Sequence, residues 1–164
     1  MKTKIPMIAM FFAAQMISSA VHAQISITGT LGITTAATDI ALFKCSPQQG
    51  ITVASTHVKD NTPINAIPNI NVQIAKSTST TTCPAVNATS WTPVKTTTGE
   101  GTWSLRTATI PVSQTPPNNY YCIKITKATA IAVIDDYSLN HACEIVLNSL
   151  TQQPSTFLGY TQNQ

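Results

Sequence analysis

The sequence predicts an all-β fold: an antiparallel β-sandwich, jelly-roll or immunoglobulin-like, of about seven to nine strands with two disulfides. Three observations carry that expectation. Thr, Ser, Asn, Val and Ile dominate while charged residues make up only 9%, and β-branched side chains favour pleated backbone because the branch at Cβ restricts χ1. Apolar residues recur with period two in several short runs, with Pro, Gly and Asn between them as turns. Four cysteines (Cys45, Cys83, Cys122 and Cys143) lie far apart, an even count that suits structural bridges in an oxidising compartment.

The first 23 residues stand outside this pattern. Lys2 and Lys4 precede an apolar run from Ile5 to Ile17, and small residues follow to Ala20-Val21-His22-Ala23. That is the order of a secretory signal peptide, with cleavage expected after Ala23 and Gln24 as the mature N-terminus. Removing Lys2 and Lys4 lowers the net charge from +3 to +1, seven Lys/Arg against six Asp/Glu. A near-neutral domain has no electrostatic footprint for nucleic acid. No later run reaches the ~18 apolar residues of a membrane helix. The expected organisation is a signal peptide over 1–23, one sandwich domain over 24–151 and a loosely ordered tail over 152–164. The expected location is secreted or periplasmic, in a bacterial cell envelope.

Along the expected domain, Ile25 to Thr28 and Leu31 to Thr34 alternate at the start. Asp39 to Cys45 is a strand closed by Ser46-Pro47, and Gly50 opens another from Ile51 to about Lys59. Ile70, Val72 and Ile74 share one face of the next strand. Ser77 to Thr82 is a low-complexity Ser/Thr loop, followed by a short strand near Trp91 to Lys95. Gly99-Glu100-Gly101 is a turn, Thr102 to Val112 is strand-like, and Pro116 to Asn119 is a turn. Tyr120 to Lys127 and Tyr137 to Cys143 are strands. Ile131 to Ile134 extends or follows the first of these, and Glu144 to Leu150 is a strand continuation or a short helix.

Strand period gives leverage on the disulfides. Tyr121, Ile123 and Ile125 share an apolar face, so Cys122 points the other way. Cys143 follows Leu139 on the more apolar side of its strand, and Cys45 follows Phe43 by two. Of the three possible pairings this favours Cys45–Cys143 near the core and Cys83–Cys122 pinning the Ser/Thr loop to an outer face. No two cysteines have zinc-knuckle spacing.

Thr38-Asp39 leading a strand, the strand after Gly50, Tyr120-Tyr121-Cys122-Ile123-Lys124-Ile125, and Asp136-Tyr137-Ser138-Leu139 form a familiar order. Over roughly residues 38–143 the chain resembles the bacterial pre-peptidase C-terminal (PPC) domain. The resemblance implies a small sandwich in a secretion or envelope context, with no catalytic residues to carry over. The four cysteines and the Thr-rich insertion depart from that pattern.

Beyond the leader the chain has two histidines, His57 and His141, and no Gly-x-Ser-x-Gly elbow. His57 with Asp60 reads as a surface pairing, and His141 as a half-buried histidine with both ring nitrogens satisfied. Asp135 and Asp136 read as turn caps. If the first and last core strands pair, Asp39 joins them, and three carboxylates would partly supply the oxygen ligands of Ca²⁺. Trp91 and Trp103 read as core residues, with a glycan-stacking platform as the functional alternative. No cofactor is expected, and no catalytic residue. The function expected is a non-enzymatic envelope or extracellular interaction module with a protein or glycan partner. The alternative is a fimbrial, pilin-like subunit or adhesin in which Ile25 to Thr35 acts as a donated strand. A glycan-active enzyme is the third class.

Overall fold

The computed structural model describes residues 25–46, 52–62, 69–113, 115–145, 148–153 and 155–163. The leader, its cleavage site and Gln24 lie outside them. The described residues form ten strands and no helix: β1 (Ile25–Leu31), β2 (Thr38–Cys45), β3 (Thr52–Asp60), β4 (Ile70–Lys76), β5 (Lys95–Thr96), β6 (Ile110–Val112), β7 (Tyr120–Lys127), β8 (Asp135–Ile145), β9 (Asn148–Gln153) and β10 (Ser155–Gln162). All pairings are antiparallel. One sheet runs β1-β8-β3-β6, with β9 pairing the far end of β8; the other runs β10-β2-β7-β4-β5.

The period-two pattern becomes a core between the sheets. Leu31 of β1, Ala41, Phe43 and Cys45 of β2, and Ala54 and Val58 of β3 point inward. So do Ile70, Val72 and Ile74 of β4, Tyr121, Ile123 and Ile125 of β7, and Tyr137, Leu139 and Cys143 of β8. A second apolar cluster lies on the outer face of the β2 sheet, where Ile40, Leu42, Ala75 and Cys122 are roofed by Trp91 and the loop carrying Cys83. Both expected disulfides are present: Cys45–Cys143 joins the sheets through the core, and Cys83–Cys122 staples the Ser/Thr loop to the outer face.

Several expectations are corrected. Residues 32–37 turn rather than continue β1, and 131–134 are loop. The strand near Trp91 shrinks to β5, and of Thr102 to Val112 only β6 is regular strand. The tail expected to be loose over 152–164 contains β10, which pairs with β2 and sends Phe157 and Tyr160 against the core. Its polar composition hid two aromatic anchors.

The irregular stretches follow a rule of their own. Thr97 both donates its backbone N–H to Ile70 O and accepts from Ile70 N–H through Oγ1. Thr92 does the same with Ile74, Ser104 with Val58, and Thr107 with Thr56. At each clip a side-chain hydroxyl replaces the carbonyl of a regular ladder. The flanks of β3 and β4 are thereby satisfied without a full partner strand.

Candidate functional site

The inner polar residues are placed by strand period and close on one another. His141 lies on the inner face of β8, 1% exposed, against Phe43 with ring centroids 4.0 Å apart. Its Nδ1 stands 2.7 Å from the Tyr121 hydroxyl and 3.1 Å from that of Ser155, and these two hydroxyls are 2.7 Å apart. Burial pushes the His141 pKa down to about 4, so the ring is neutral at neutral pH. The half-buried, fully satisfied histidine expected here is corrected: it is buried, and Nε2 has no partner among the described residues. Ser155 beside His141 is the pair that nucleophilic catalysis needs. Here Ser155 is 6% exposed and His141 1%, so among the described residues this pair presents almost no surface to a substrate.

The three aspartates do not converge. Asp39 lies inward on β2 and accepts a hydrogen bond from the Tyr137 hydroxyl at 2.8 Å. Asp135 lies inward at the start of β8 with Oδ2 3.8 Å from Lys127 Nζ. Asp136 points outward and accepts from the Thr30 hydroxyl at 2.7 Å. The calcium arrangement supposed that the strands of Asp39 and Asp136 pair, but β2 pairs with β7 and β10 in the opposite sheet from β8. Among the described residues no three His, Cys, Asp or Glu side chains gather as a metal site. Burial raises the Asp135 pKa to about 6 against the opposing pull of Lys127. Lys127 Nζ donates to Gly32 O, Ile131 O and Val133 O, tying the turn after β1 to the loop before β8.

The two tryptophans part company. Trp91 is 8% exposed; its Nε1–H donates to Ala85 O, and Lys124 Nζ sits 4.8 Å from its ring centroid. It closes the outer cluster of the β2 sheet. Trp103 lies on the opposite outer face and is 40% exposed. Its backbone bridges Lys59 of β3 and its ring packs on His57 at 4.5 Å. Burial, then nearby Arg106, lowers the His57 pKa. His57 does not meet Asp60, because residues three apart on a strand face opposite ways; Asp60 is inward and accepts from Thr62 N–H.

Trp103 borders a polar surface. The register across β3, β8 and β1 sets His57 beside Asn140 beside Ser26, then Lys59 beside Ser138 beside Thr28, then Asp136 beside Thr30. Asn61 donates to the Ser138 hydroxyl, and Arg106 bridges Ser55 and Glu144 at the border. At the far end a recess of about 420 Å³ is lined by Thr28, Gly29, Thr30, Asn61, Asp136 and Tyr137. His57 Nε2 and Asn140 Oδ1, neighbours in the register, are both buried with no partner among the described residues. On the other outer face, two adjoining recesses of about 470 and 440 Å³ lie between the Ser/Thr loop and β10, floored by Ile40 and Leu42.

Sequence reasoning named Trp103 but missed the grid beside it. The alternation of β1 and β8 placed Ser26, Thr28, Thr30, Asp136, Ser138 and Asn140 on outward positions, which is the signal that finds them. Set against known proteins, the chain matches no protein-family model, and no curated protein is significantly similar to it. The class that the fold itself defines is a disulfide-braced, two-sheet antiparallel sandwich.

Proposed function

We propose that this chain is an exported, non-enzymatic interaction module of the cell envelope or extracellular space. The observation that carries the reading is that all four cysteines are consumed in two disulfides, one through the core and one clamping a surface loop. Bridges of that kind persist outside the reducing cytosol. The reading agrees with the leader-like start and with the context implied by the likeness to PPC domains. The Cys83–Cys122 bridge clamps a loop to one outer face, and a pre-ordered surface lowers the ordering cost of binding.

Fractionation of cells expressing the full chain tests it. The expected product begins at Gln24, lies in the periplasm or medium and has no titratable thiol under denaturant. Purified product is also expected to bind isolated envelope fractions saturably. A cytosolic, leader-bearing form with four free thiols overturns the reading, as does turnover in a hydrolase panel or no envelope binding.

One observation bears on the pilin-like alternative: among the described residues β1 is an edge strand, paired on one side only, so it is the strand most readily exchanged, yet its partner β8 belongs to its own chain. A donated-strand subunit requires β1, within the Ile25 to Thr35 segment, to leave that place for a neighbour. Heat-sensitive ladders on denaturing gels would support exchange, and a monomer at all concentrations would end it.

A further inference from the structure

We infer that the outer face of the β1-β8-β3 sheet is a binding platform for a neutral oligosaccharide, with Trp103 as the stacking residue. The inference rests on the interaction-module reading and gives it a ligand class. Three features converge on one outer sheet face. Trp103 is half-exposed at its border and held by His57 beneath, and an aromatic face flanked by polar groups suits the apolar face of a pyranose ring. Beside it lies a grid of hydroxyls, amides and one carboxylate: Thr28, Thr30, Asn61, Asp136, Ser138 and Asn140. The lane of Trp103, β3, β8 and β1 are successive neighbours at inter-strand spacings of about 4.8 Å, the span of a short oligosaccharide that ends in the recess at Thr30 and Asp136.

The third feature is charge. Arg106 is engaged by Glu144 and Ser55, and Lys59 and Asp136 carry opposite charges on the same face, so the platform has no net charge to select an ionic ligand.

Calorimetric titration of the oxidised full-length protein with chitohexaose, cellohexaose and maltohexaose tests the platform. At least one is expected to bind saturably. Trp103→Ala is expected to weaken that binding roughly tenfold or more, and Asn140→Ala by a lesser but measurable factor. Leu158→Ser, on the opposite outer face, is expected to leave it unchanged. If Trp103→Ala does not fold, bound sugar is expected to shield Trp103 of the unaltered protein from oxidation by N-bromosuccinimide. No binding of any of the three at millimolar sugar overturns the inference, as does full affinity in a natively folded Trp103→Ala protein, absence of shielding, or loss through Leu158→Ser alone. Saturable binding to envelope fractions without sugar binding would remove the platform and leave the interaction module standing.

Discussion

His141 is neutral in the folded protein and has an ordinary pKa when unfolded, so acid favours the unfolded chain. Its contribution is fully present above the unfolded value of 6.5 and is lost as pH falls through the folded value of about 4. That loss approaches roughly 3 kcal/mol at its limit. Asp135 acts in the other direction. Its folded pKa is raised to about 6, so its contribution is present below 3.8 and lost as pH rises through 6. The two oppose each other over the same interval, and the unaltered protein is expected to show a shallow dependence of denaturation midpoint on pH from 4 to 6.5. Asp135→Asn removes one side, and its midpoint is expected to fall more steeply on acidification. An identical slope in both proteins contradicts this balance. Gly29 gives a second test at this scale. A Cβ built there overlaps the Tyr137 hydroxyl and lies 2.8 Å from that of Tyr160. Tyr137 is wholly buried and bonded to Asp39, so it has little freedom to yield. Gly29→Ala is expected to cost about 2 kcal/mol in chemical denaturation. The inward face of His141 was legible from period two. Its unpaired Nε2 was not, because that depends on which residues meet across the sandwich.

The strands with clean alternation were legible: β2, β4, β7 and most of β8 fall where the sequence places them. The stretches from Thr92 to Thr107 were not, because their pairing runs through hydroxyls at irregular intervals and leaves no hydrophobic period. The abundance of Thr and Ser, read first as strand propensity alone, has this second cause. Thr97 is the cleanest probe, since Val has nearly its shape and no hydroxyl. Thr97→Val leaves the Ile70 N–H without its acceptor and is expected to destabilise by about 1–2 kcal/mol. Ser104→Ala is expected to do the same to the Val58 N–H. Equal stability of both variants would mean water replaces the hydroxyls at no cost. The Ser77 to Thr82 loop obeys similar chemistry within itself. The Ser79 hydroxyl accepts from the N–H groups of Thr81 and Thr82, and Thr78 and Thr82 hydroxyls meet at 2.9 Å. The low-complexity tract is therefore a hydrogen-bonded knob, and its polarity gave no hint of that.

Both cross-links were legible as the favoured pairing because a strand has only two faces, and facing gave leverage among three pairings that spacing left open. They are not equivalent in the assembled sandwich. Cys45–Cys143 closes 98 residues and sits in the core; Cys83–Cys122 closes 39 and lies on an outer face. Chain entropy assigns about 4–5 kcal/mol to the first and about 4 to the second. Replacing Cys45 and Cys143 together by Ala also removes two buried side chains, so that variant is expected to be the less stable of the two double replacements. Equal urea midpoints for the two would show that the core closes around the smaller side chains. The pairings themselves are mostly remote in sequence. β1 pairs with β8 and β2 with β10, so the first strands wait for the last ones before either sheet has its edge. A polypeptide emerging from its N-terminus through a narrow pore can build only fragments of one layer until β8 arrives, and the other layer lacks its edge until Phe157 and Tyr160 follow. On the export reading proposed above, such a chain would stay open for threading throughout transit and acquire its final shape once, on the far side, after its closing residues have come through.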